Sequence, residues 1–201
     1  MRQSVDPKNL LSALHYQASG ELMRLMDGFY SNIEDGLFEL AYANEDKMQQ
    51  RRTVELMREL RFRREHLLKT FGKRIQRSAK DWYEADMSAE YLEERAFSEQ
   101  IAARCSGHFG TLLQSITERV SHATGNEIDR ASVPLSPEQV SYQFVMSCRS
   151  LEFTQESIGT VQDLFHRFVL ERLGAIYGRI NEQLAEAGFC TIRELSQEAT
   201  A

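Results

Sequence analysis

From Lys8 to Val133 the chain contains no proline at all; its only three are Pro7, Pro134 and Pro137. Proline stops helices because it lacks an amide hydrogen and its ring clashes with the preceding turn. Clusters of β-branched residues, which would compete with helix, are also few. The spacing of apolar residues is three and four, and no alternating apolar–polar run reaches strand length. The sequence therefore predicts an all-α chain: a bundle of about five mostly long amphipathic helices with no β-sheet.

Asp6 followed by Pro7 opens the first helix, with a cap and a proline at the first helical position. Its apolar stripe is Leu22, Met26, Phe29, Ile33, Leu37 and Leu40, with bends expected at Gly28, Ser31-Asn32 and Gly36. Asn44-Glu45-Asp46 reads as a break and a new cap. The helix that follows runs to about Trp82 or Tyr83 on a stripe of Val54, Met57, Leu60, Leu67, Leu68, Phe71 and Ile75. From Asp81 to Glu99 there are seven acids and one base, Arg95. Ser88 can cap a third helix with the stripe Phe97, Ile101, Cys105, Phe109, Leu112, Ile116 and Val120. Residues 125–135, opened by Gly125-Asn126, read as a loop. Ser136-Pro137-Glu138-Gln139 restarts a helix with a capping box. Thr154 caps a last long helix along Ile158, Val161, Phe165, Phe168, Leu173, Ile176, Ile180 and Leu184, which Gly188 ends. One domain over 1–201, with flexible ends at about 1–6 and 191–201, is the expected organisation.

The charges are unevenly placed. Between Lys47 and Lys80 stand twelve Lys or Arg and three acids, Glu55, Glu59 and Glu65, about +9. The whole chain is -6, so the remainder sums to about -15. Such a split marks either a partner-binding surface or an internal counter-surface. At 100° per residue, Arg64 falls near the middle of the apolar stripe and Arg61 on its edge. A guanidinium there needs a partner, because burying it unpaired costs several kcal/mol. Glu34, Asp35 and Glu39 on the first helix are candidates, giving structural ion pairs of Arg61 and Arg64 with Asp35 or Glu39. The outward set Arg51, Arg52, Arg58, Arg63, Lys69, Lys73 and Arg77 forms the candidate binding surface. Phe62 and Trp82 would suit base stacking beside these arginines. The net acidity of the chain counts against nucleic acid as the partner.

Catalytic and metal signatures are missing. There is no phosphate loop, no Gly-x-Gly-x-x-Gly, no Gly-x-Ser-x-Gly and no Cys-x-x-Cys. Cys105/His108 and Asp163/His166 have a three-residue spacing, but a di-iron bundle needs Glu-x-x-His pairs, and none occurs. No catalytic residue, metal or cofactor is expected. Gly174 and Gly178 suit close helix contact. The three cysteines, Cys105, Cys148 and Cys190, are distant and odd in number, which fits reduced thiols and a cytoplasmic location. No apolar run approaches a membrane span, and the first residues show no secretory signal core.

Several ordered stretches carry a resemblance: Leu37-Phe38-Glu39-Leu40-Ala41; Met57-Arg58-Glu59-Leu60-Arg61 with Arg64; Pro134-Leu135-Ser136-Pro137-Glu138-Gln139; and Leu164-Phe165, Phe168-Val169-Leu170, Leu173, Tyr177, Asn181 and Leu184. Over roughly residues 22 to 190 the chain resembles the N-terminal helical part of a proteobacterial family, domain of unknown function 1631. It departs from that family at Val140-Ser141, where a leucine–cysteine pair would stand, and relatives are usually several times longer. The resemblance implies no established activity. Longer relatives end in a β-rich region similar to domains sensing cyclic di-GMP, which implies a bacterial signalling context.

The function that follows is a non-enzymatic helical interaction or regulatory module, binding a protein partner or a second copy of itself. Anion or nucleic-acid binding through the helix at 47–80 is the alternative, and an enzyme with an unrecognised site the second.

Overall fold

A computed structural model describes residues 6–43, 45–78, 89–128, 130, 133–149 and 154–198, with the backbone alone at 89–102, 104–106, 155–156 and 198. The described residues are all-α, without a strand. They form α1 (Pro7–Ala43), α2 (Lys47–Arg77), α3 (Ala89–Thr124), α4 (Pro137–Cys148), α5 (Gln155–Phe168), a 3₁₀ turn (Leu170–Arg172), α6 (Gly174–Glu186) and α7 (Ile192–Glu198).

α1 passes unbroken through the expected bend points. Ser31 Oγ and Asn32 Nδ2 donate to the carbonyls of Asp27 and Gly28, four residues back, so their polar groups serve the helix instead of ending it. Leu40, expected in the stripe, is exposed; Ala41 takes the buried position. Asp46 caps α2, its carboxylate accepting from the amide of Met48 at 2.8 Å. α1 and α2 then run antiparallel, since His15 reaches the Ile75 carbonyl while Glu34 meets Arg61. The α2 stripe is Leu56, Leu60, Leu67, Phe71 and Ile75, with Val54, Met57 and Leu68 only half-buried. Residues 79–88, which include Trp82, Tyr83 and Ser88, lie outside the described residues, as do the side chains of Phe97, Ile101 and Cys105.

The other helices close on this hairpin. α4 packs against α2 and α3, and α6 against α1 and α3. Phe29 of α1 meets Phe144 and Phe165 edge-on, each at 5.9 Å, while those two rings stack at 3.9 Å. This aromatic cluster joins α1, α4 and α5 at the centre of the core.

The expected last long helix is two helices. Around a straight helix, the buried residues Val161, Leu164 and Phe165 and the buried residues Leu173, Ile176, Tyr177, Ile180 and Leu184 are centred roughly 120° apart. Both sets cannot face one core. The chain breaks at Val169 (φ -116, ψ -61) and turns through a 3₁₀ segment that buries Val169 and Leu170 as well. Gly188 (φ 89) does terminate α6. Residues 192–198, expected in a flexible end, are instead helical. Thr191 and Glu194 make a reciprocal capping box: Glu194 Oε2 accepts from the Thr191 amide at 2.7 Å, and Thr191 Oγ1 from the Glu194 amide at 3.4 Å. With these two differences, the described chain has seven α-helices where about five were expected.

Candidate functional site

α2 carries the charge asymmetry, and its geometry sorts the basic residues into two groups. The first group is tied into the fold. Arg61 binds Glu34 bidentately, its Nε donating to Oε1 at 2.7 Å and its second nitrogen to Oε2. Arg64 donates to Asp27 Oδ1 at 2.7 Å and to Ser31 Oγ at 3.2 Å. Arg63 reaches one turn back to Glu59 at 3.0 Å. Arg74 donates to Gln143 Oε1 at 2.8 Å and lies over the Tyr142 ring, bridging α2 to α4.

Arg64 falls within the arc of the buried α2 stripe, between Phe71 and Ile75 and to one side of its centre, and its long stem carries the guanidinium out to a half-exposed position. Asp35 and Glu39 are not the partners. On α1 they lie on the face away from the core, whereas Asp27 and Glu34 flank the stripe on the side of α2. Among the described residues Asp35 and Glu39 make no ion pair. The Arg61 guanidinium holds the Glu34 carboxyl below its usual range.

The second group faces solvent. At 100° per residue, Arg51, Arg58, Lys69 and Lys73 fall within an arc of about 60°, spread over roughly 33 Å of helix. All four are exposed and make no ion pair among the described residues. Arg52 and Arg77 flank the arc and are exposed. Phe62 sits inside the arc with 82% of its surface exposed, the Arg63 guanidinium 5.9 Å from its ring centre. Glu55 stands on the same arc and Glu65 about 20° beyond its edge, so four cations face two acids there. The outward face is therefore a mixed-charge stripe with a basic excess and one protruding aromatic ring.

Asp6 to Gly188 matches, in one span, the family model for the N-terminal domain of DUF1631, proteins of unknown function. The chain belongs to this family. No curated protein and no solved structure matches it. Among the described residues of the DUF1631 domain, α2 carries an outward face with a basic excess. Elsewhere two buried titratable groups serve the fold. The buried His15 donates from Nε2 to the Ile75 carbonyl at 2.8 Å, and desolvation lowers its pKa. Burial pushes the Cys148 thiol up to about 12. Among the described residues of the domain, no group of three or more His, Cys, Asp and Glu side chains could hold a metal ion. No described helix is long and apolar enough to cross a membrane. His108 is exposed beside the Phe109 ring, and His166 Nδ1 lies 3.4 Å from Glu171.

Two features of the domain escaped the sequence-based expectations. Arg74, assigned neither to the outward set nor to the structural ion pairs, is a bridge to α4, and nothing local in the sequence names Gln143 as its partner. The Thr191-Ile192-Arg193-Glu194 capping box, by contrast, is written in the sequence and marks α7.

Proposed function

We propose that this domain is a non-enzymatic interaction module that docks a protein partner along the outward face of α2. The observation that carries the reading is Phe62, 82% exposed on a rigid helix between cations that the fold leaves without carboxylates. Exposing a phenyl ring forgoes on the order of 2 kcal/mol of burial, a cost with no return inside this domain. A partner helix with an acidic excess and a small apolar pocket would cover the ring and meet Arg58, Lys69 and Lys73. Complementary charge of this kind sets orientation and partner choice.

Glu55 and Glu65 favour a protein over a nucleic acid, because both would face a phosphate backbone laid along the same stripe. The bacterial regulatory setting implied by the family resemblance, and the cytoplasmic location that the cysteines suggest, belong to this proposal.

The test uses the full chain with a lysine-reactive cross-linker, nuclease-treated, beside the variant F62A/R58E/K69E. Cross-links from Lys69 and Lys73 to one acidic partner, or to a second copy, are expected, with weakening at high salt and with loss of the Lys73 cross-links in the variant, which lacks the Lys69 amine. Cross-links that survive the triple substitution would overturn the reading. So would signals that vanish with nuclease.

A further inference from the structure

A second feature lies between α1 and α6. There α1, the 3₁₀ turn and α6 line an open surface groove of about 380 Å³. Its floor is apolar, made of Leu25 and Ile176, and its rim carries Arg24, Arg172, Arg179 and Glu21. A volume of this size lies within the range of small-molecule sites.

The rim charges are not equivalent. Arg179 is ion-paired to Glu21, which fixes both side chains at one end of the groove. Arg24 and Arg172 have no carboxylate among the described residues and are exposed. The Arg172 guanidinium lies over Phe168, 6.0 Å from its ring centre, a ring it shares with Arg167 at 5.4 Å. Three arginines against one glutamate give the rim a formal +2 in a chain whose total is -6. Like charges gathered over an apolar floor repel one another, and an anion bound between them relieves that repulsion.

We propose that this groove binds a small organic phosphate: a phosphomonoester dianion held by the guanidinium forks of Arg24 and Arg172, its apolar body resting on Leu25 and Ile176. A dianion suits two planar forks, each offering paired N–H donors to phosphate oxygens. Neutral apolar molecules would leave the arginines unanswered, and a bare phosphate would leave the floor uncovered.

Phenyl phosphate is the probe, titrated into the full chain by calorimetry, with inorganic phosphate and benzyl alcohol beside it. Phenyl phosphate is expected to bind at least ten-fold more tightly than inorganic phosphate, and benzyl alcohol not at all. Arg24→Gln and Arg172→Gln should each weaken phenyl phosphate at least five-fold. Both residues are exposed, so the variants should keep the wild-type helical circular dichroism and melting temperature. The control R58Q/K69Q on α2 should bind as wild type, which separates this site from the α2 proposal. Unchanged affinity in the R24Q/R172Q variant would overturn the assignment. So would equal loss in the α2 control, and so would sedimentation with phosphatidic acid vesicles when phenyl phosphate does not bind.

Discussion

Tyr177 Oη donates a 2.8 Å hydrogen bond to the carbonyl of Leu135, the one described non-glycine residue with a positive φ, at 79°. An L residue in the left-handed region is strained by about 1–2 kcal/mol. Both residues are buried, so this bond lies in the core, where leaving the carbonyl unpaired is costly. The loop before α4 is thus held down by α6. Tyr177→Phe keeps the ring and removes the donor. It should destabilise the chain by about 1–3 kcal/mol in urea denaturation. A loss below about 0.5 kcal/mol would show that the loop holds itself.

Gly174 and Gly178 share a spacing but should respond oppositely to alanine. A Cβ at Gly174 would meet Phe109 Cε1 at 2.9 Å, in a ring packed edge-on against Tyr177 at 5.4 Å. The ring has no flexible end to yield, so Gly174→Ala should cost about 1–3 kcal/mol. At Gly178 a Cβ meets nothing within 4 Å, and Gly178→Ala should stabilise by about 0.5–1 kcal/mol through helix propensity. Thermal melts of the two variants check the pair. Equal shifts in one direction would mean that the α3–α6 contact is not tight at Gly174.

What the sequence revealed and what it hid follow from the range of the forces concerned. Helix starts at Asp6, Asp46, Ser136 and Thr154 were legible because caps act over two or three residues. The break at Val169 was present as a phase shift between Val161–Phe165 and Leu173–Leu184, and is visible only when the angles are summed across the whole stretch. Arg61 and Arg64 announced a need for acids. Their choice of Glu34 and Asp27 over Asp35 and Glu39 depended on the rotation of α1 about its own axis, which the α1 stripe already encoded. The approach of Phe109 to Gly174 joins residues 65 positions apart in the chain, and no local pattern reports it. The α1–α6 groove is hidden for the same reason: Arg24 and Arg172 come to line one groove only in the fold.

α7 should depend most on one side chain of α3, Arg119, which makes two of the contacts to this segment. The buried Arg119 donates to the Phe189 carbonyl at 2.5 Å and to Glu194 Oε1 at 2.7 Å, while its neighbours on α3 hold the same segment. His122 Nδ1 accepts from the Cys190 amide at 2.8 Å, and Glu118 Oε2 from the Ile192 amide at 3.1 Å. Arg119→Gln removes the contact that reads both ends of the turn. Hydrogen exchange of the amides at 189–195 should then accelerate at least ten-fold, with α1 and α2 unchanged. Protection equal to wild type would show that the capping box at Thr191 and Glu194, with Glu118 and His122, holds the segment without Arg119.

His15 should make the chain less stable in mild acid. Its Nε2–H is committed to the Ile75 carbonyl, and its buried Nδ1 has no partner, so a second proton would be placed in an apolar site. Burial therefore lowers its pKa below 6.5, the value it regains on unfolding. The unfolded chain then binds the proton more readily than the folded chain. The stabilisation from neutral His15 is complete above pH 6.5 and is lost as pH falls from there through the lower folded value. The slope cannot exceed about 1.4 kcal/mol per pH unit for one group. His15→Gln can donate an amide hydrogen to Ile75 without taking up a proton. Urea denaturation of both chains at intervals from pH 7.5 to 5.0 isolates the effect, since the other histidines are common to both. Wild type should lose stability relative to the variant below pH 6.5; a constant difference across the range would assign the acid sensitivity elsewhere.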